Sequence, residues 1–150
     1  MELLTLVGPE RIYLDANVFI YALEGFPAYA PALRSLFEAI DRGEILAATS
    51  ELTLAEVLVK PIRARNEELQ RAYLEAIRER VGLRVAPVSR GVLVDAAALR
   101  ARDLLRLPDG IHVATASAER CGALLTNDDR IRSSSELRII MLPELSVGLG

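Results

Sequence analysis

The feature that most constrains this chain is an alternation. Five short apolar segments, "RIYLDA" (Arg11–Ala16), "ILAAT" (Ile45–Thr49), "LRVAPV" (Leu83–Val88), "ALLT" (Ala123–Thr126) and "LRIIML" (Leu137–Leu142), are separated by longer stretches with helical patterning. Short continuous apolar runs read as strands buried on both faces, and strands joined through helices pair in parallel. The helical stretches are Asn17–Leu23, Tyr29–Arg42 closed by Gly43, Ser50–Arg65, Glu67–Arg80, Val92–Leu107 and Gly110–Cys121. Leu69, Tyr73, Ala76 and Ile77 mark one apolar face of the fourth, and Pro61 is expected to kink or divide the third. The pattern predicts an α/β fold, a mostly parallel sheet of about five strands between helical layers. In such sheets a functional crevice lies beyond the carboxyl ends of the strands.

A chain of 150 residues suits one domain, spanning 1–150. Its formal charge of −3 argues against holding nucleic acid by bulk positive charge, but leaves room for a local basic groove. The single cysteine, Cys121, has no partner for an internal disulfide, which points to a reducing setting and a small core or boundary residue. The opening "MELLTLVGPE" has no basic start and too short an apolar run for a signal peptide or membrane span, so a cytoplasmic location is expected. One histidine and one cysteine exclude a zinc site built from those residues. Neither a Gly-rich phosphate loop nor a Gly-x-Ser-x-Gly elbow is present. His112 reads as a satisfied helix residue rather than a base.

Four acids fall where the crevice would be. Asp15 ends the first strand, and Asn17 follows as a helix-cap candidate. Glu56 lies in "ELTLAEVLVK", with an exposed Glu56–Lys60 pair as the plainer reading. Asp109, in "RLPDGIHVATA", sits where a helix cap belongs, with Pro108 before it and Gly110 at the first helical position. Asp128 and Asp129 follow the fourth strand in "LLTNDDRI". Each has a structural explanation as a cap, turn residue or surface pair. Together they can converge on one sheet edge. Crowded carboxylates raise one another's pKa, and a hard divalent cation such as Mg²⁺ or Mn²⁺ relieves that repulsion.

With these motifs in hand, the chain resembles a PIN domain, specifically the small VapC-type toxin ribonucleases. "YLDANVFIY", "TSELTLAEV", "LPDGIHVATA" and "LLTNDDRI" match in the family's order and span Tyr13 to Ile131. The resemblance implies a PIN-like three-layer fold, with Asp15, Glu56, Asp109 and Asp128 as the acidic, metal-binding and catalytic set. Asp128 is preferred to Asp129 because the family pattern is Thr-x-Asp. Asn17 and Thr126 become polar supports, with Ser50 a weaker one. Gly110 stands where the family usually has Ala, which is expected to loosen the helix start.

The implied activity is Mg²⁺- or Mn²⁺-dependent cleavage of RNA, with metal-activated water attacking a backbone phosphate. Arg63, Arg65, Arg130 and Arg132 are candidates for RNA contact, although a solvated surface charge is the simpler reading of each. A homodimer and a cognate antitoxin are further implications, and the apolar content of the helices between Glu51 and Arg80 is compatible with them. Two alternatives stay open: a PIN-like protein-binding module with structural acids, and a metal-dependent phosphatase. The second is weakened by Asn17, which stands where an Asp-x-Asp start requires its second acid.

Overall fold

The computed structural model describes residues 2–131 and 137–148; Arg132 lies outside them. Five parallel strands form one sheet in the order β3-β2-β1-β4-β5. They are β1 (Ile12–Leu14), β2 (Ala47–Ser50), β3 (Leu83–Ala86), β4 (Ala123–Thr126) and β5 (Arg138–Met141), so every segment expected to be a strand is one. The helices are α1 (Glu2–Val7), α2 (Ala16–Leu23), α3 (Ala30–Asp41), α4 (Glu51–Arg63), α5 (Glu67–Ala76), α6 (Arg90–Asp103), α7 (Leu107–Ala118) and α8 (Leu142–Gly148).

Alternation along the strands builds the three layers. Ile12 and Leu14 face a core shared with α1 to α5 and α8, which includes Phe19, Leu33, Leu36, Val57 and Tyr73. Tyr13, Ala48 and Leu124 face the other way, against Val113 and Ala116 of α7. Helix α6 covers α7 through Val92, Ala96 and Ala114. Both faces of the sheet are therefore covered, as the lack of polar alternation in the strands requires.

Sequence order moves outward from β1 to β2 and β3, then crosses to β4 and β5 on the opposite side. That reversal makes a topological switch point between β1 and β4, where a crevice opens beyond the strand ends. Leu14 pairs with Leu125 in this central ladder, and the Asp15 N–H reaches the Leu125 carbonyl at 3.4 Å.

Three local expectations need correction. Pro61 does not divide its helix; it lies in the last turns of α4, which runs unbroken to Arg63. Helix α7 starts at Leu107, not Gly110, because Pro108 occupies the first turn, where its missing N–H costs no hydrogen bond. Gly110 then has a packing role: a Cβ there would lie 3.0 Å from the Ala96 carbonyl oxygen, so its absence lets α6 and α7 approach. Among the described residues, no helix is long and apolar enough to cross a membrane.

Candidate active site

Asp15, rather than Asn17, caps α2, accepting the Val18 N–H at 3.3 Å on Oδ1. Its other oxygen accepts the Thr126 hydroxyl at the end of β4. The same Thr126 oxygen accepts the Asp128 N–H at 3.0 Å, so one threonine links the first and fourth acids across the switch point. Burial pushes the Asp15 carboxyl up to about 6, against the lowering influence of Thr126, His112 and the backbone donors. One carboxyl is thus raised as the crowding argument expects, but removal from water, not carboxylate repulsion, is the cause.

Glu56 projects from the second turn of α4 and does not pair with Lys60. Lys60 Nζ goes to Glu24 Oε1 at 3.4 Å, while Glu56 Oε1 lies 2.6 Å from His112 Nε2. Asp109 is the third helical residue of α7 rather than its cap, and Arg106 holds the cap position without a side-chain capping bond. Arg106 Nε instead donates to Asp109 Oδ2 at 3.1 Å, and its NH2 lies 3.7 Å from Asp128 Oδ2. Asp128 also receives Arg130, through Nε at 3.0 Å and NH2 at 2.8 Å. The Arg130 hydrogen bond holds the Asp128 carboxyl below its usual range.

All four acids line one cavity of about 220 Å³, together with Ala16, Asn17, Ile20, Arg106, His112 and Ile131. Ser50 does not line it; buried, it caps α4 by accepting the Leu52 N–H at 3.0 Å. Arg63 and Arg65 are exposed at the far end of α4, seven and nine residues past Glu56, and do not line it either. Asp129 is exposed, whereas Asp128 turns inward. Cys121 is buried away from the cavity, and burial pushes its thiol up to about 12, as befits a core residue.

The donor set, carboxylate and amide oxygens around one concavity, has the chemistry a hard divalent ion selects. Arg106 and Arg130 offset charge on Asp109 and Asp128, His112 hydrogen-bonds Glu56, and no three His, Cys, Asp or Glu groups among the described residues are gathered at ion-holding spacing. Arg106 and Tyr13, the phenol behind His112, were not singled out from the sequence. A basic residue three positions before Asp109 was the available signal for the first.

The fold is a parallel α/β sheet whose switch point carries a cavity lined by four acids. The chain belongs to the PIN domain family, whose profile matches residues 12–137. Sequence comparison with curated proteins gives no match. Among solved structures the fold is similar to VapBC2 from Rickettsia felis bound to a promoter DNA fragment, with TM-score 0.70 and 18% identity over 87% of this chain and 98% of that one. It is also similar to the sarcin-ricin loop cleaving toxin VapC20 of Mycobacterium tuberculosis, with TM-score 0.66 and 18% identity over 85% and 98%. A toxin–antitoxin complex from Klebsiella pneumoniae gives TM-score 0.64 and 22% identity over 87% and 97%. The fold is that of the VapC-type PIN proteins.

Proposed function

We propose that the protein is a Mg²⁺- or Mn²⁺-dependent endoribonuclease, the toxin of a toxin–antitoxin pair acting in the cytoplasm. The observation that carries this reading is the convergence of Asp15, Glu56, Asp109 and Asp128 on one cavity at the strand ends. These four residues would hold the cation, with Asn17 beside them. A bound divalent ion would supply Lewis-acid activation of water and neutralise charge on the attacked phosphate.

The chain's own residues prepare that site. Thr126 fixes Asp15 and the turn bearing Asp128 in one hydrogen-bonded unit. Arg106 and Arg130, at the rim, offset carboxylate charge and stand where an RNA backbone would approach. Arg63, Arg65 and Arg132 remain candidates for guiding more distant parts of the RNA.

An antitoxin partner is supported by the similar structures that are toxin–antitoxin complexes. A homodimer is supported by exposed Val59, Ile62 and Leu74 on the α4–α5 pair, apolar surface that a second copy would cover. The functional test is incubation of purified protein with structured RNA and with DNA of matched length, with Mn²⁺ or with chelator. Cleavage of RNA with Mn²⁺ alone is expected. Cleavage that survives chelation, or no cleavage of any nucleic acid, contradicts the reading.

A further inference from the structure

Behind Glu56 lies a hydrogen-bonded chain that crosses three elements. Tyr13 of β1 is fully buried, and its hydroxyl lies 2.6 Å from His112 Nδ1 on α7. His112 Nε2 in turn lies 2.6 Å from Glu56 Oε1 on α4. The two rings pack with centroids 5.7 Å apart at a tilt of 59°. His112 follows Asp109 by one helical turn, so a single face of α7 delivers one acid to the cavity and the support for another.

We propose that His112 is a positioning residue which, braced by Tyr13, fixes the carboxylate of Glu56 for cation binding. The proposal rests on reading Glu56 as a member of the site. Glu56 is a long side chain on a partly open surface, and an unsupported glutamate would spread over several rotamers. A buried ring bonded at both nitrogens removes that freedom. It leaves the second oxygen of Glu56 for a ligand. It also keeps His112 from acting as a base, because both nitrogens are engaged and the ring is buried.

Proton accounting fixes the direction of the chain. An unprotonated Nε2 at 2.6 Å from a carboxylate oxygen would oppose two lone pairs, so the proton resides on Nε2. Nδ1 then accepts from the Tyr13 hydroxyl at 2.6 Å. The Thr49 hydroxyl is committed to the Leu14 carbonyl at 2.7 Å, and Thr53 to Thr49 at 2.7 Å. Tyr13 thereby has His112 as its acceptor.

The chain contains one histidine, so histidine labelled with ¹⁵N reports this ring without assignment ambiguity. In metal-free protein the ring proton is expected on Nε2 and protected from exchange with solvent. Titration with diamagnetic Mg²⁺ should move the Nε2 resonance in wild type but not in Glu56→Gln. Calorimetry with Mn²⁺ should show roughly ten-fold weaker binding in both Tyr13→Phe and His112→Phe. Tyr13→Phe keeps the ring and loses only the hydroxyl, so it serves if His112→Phe does not fold. A proton on Nδ1, an Nε2 signal averaged between tautomers, or wild-type Mn²⁺ affinity in Tyr13→Phe overturns the proposal. Failure of the wild type to bind Mn²⁺ would instead remove the metal-site reading and with it the role assigned here, whatever the ring proton shows.

Discussion

Arg106 Nε lies 3.1 Å from Asp109 Oδ2, three residues further along, while the far end of the same guanidinium lies 3.7 Å from Asp128 Oδ2. The side chain is about half exposed, so it is a movable counter-charge at the mouth of the cavity rather than a buried fixture. A divalent ion held by these acids, as proposed, would compete with this arginine for the same oxygens. Arg106→Gln should therefore tighten Mn²⁺ binding by roughly five-fold, about 1 kcal/mol for loss of one screened charge. It should lower the melting temperature of the metal-free protein slightly. Calorimetric titration of both proteins checks the first effect, and weaker binding in the variant would show that Arg106 supports the ion rather than rivals it.

Asp15 gives the pH dependence a sign. Its folded carboxyl titrates at about 6, above the unfolded value, so the native state holds the proton more tightly. The resulting stability is fully present below the unfolded pKa and is lost as pH rises toward and through 6. The loss from this group amounts to roughly 3 kcal/mol at neutral pH. Asp15→Asn keeps an oxygen to accept the Val18 N–H, its amide NH₂ can donate to the Thr126 hydroxyl oxygen, and asparagine caps well. In chelator, the variant should melt above wild type at pH 7 and close to it at pH 4. A variant that melts below wild type at pH 7 would contradict the burial argument.

The turn after β4 separates two adjacent acids. Asp128 lines the cavity and receives Arg130 and Arg106, whereas Asp129 is exposed. Asp128→Asn should lower RNA cleavage at least about a hundred-fold, since on the proposed function it removes charge from the ion-holding set. Asp129→Asn should stay within about two-fold of wild type, as surface changes usually do. Equal effects in the two variants would mean the turn presents its acids differently.

Cation binding should also appear as stability. At a Mn²⁺ concentration of about a hundred times Kd, mass action adds about 2.7 kcal/mol to a protein that binds only when folded. Thermal melts of wild type should rise on adding Mn²⁺, and those of Asp15→Asn should rise much less. Equal shifts in both would place the ion elsewhere.

The strands were legible because β1, β2 and β4 are short apolar runs that end in polar residues, Asp15, Thr49–Ser50 and Thr126–Asn127. The acids at those ends were visible for the same reason. The short helices α1 and α8 were not, since local pattern does not fix them: α1 is held by Arg138, whose guanidinium reaches the Leu6 and Val7 carbonyls at 2.7 and 2.6 Å. The start of α7 lies three residues before Gly110 because a proline is tolerated in the first helical turn, a placement that local pattern does not single out. In the site, sequence spacing could not show that Glu56 belongs with His112 rather than Lys60. Those partners are 56 residues apart and meet only after α4 and α7 pack together. The pairing of Arg106 with Asp109, by contrast, is local, and it depends on α6 ending at Asp103 and α7 starting at Leu107, whereas the sequence pattern runs the earlier helix on to Leu107 and starts the next at Gly110.

In the proposed function, the acids lining this cavity perform metal-dependent RNA cleavage. The most direct measurement compares wild type, Asp15→Asn and Asp109→Asn on one structured RNA in Mn²⁺, with circular dichroism confirming that each variant is folded. Cleavage by wild type, abolished by chelator and reduced at least about a thousand-fold in both folded variants, is the predicted result. Full cleavage by either folded variant would contradict it.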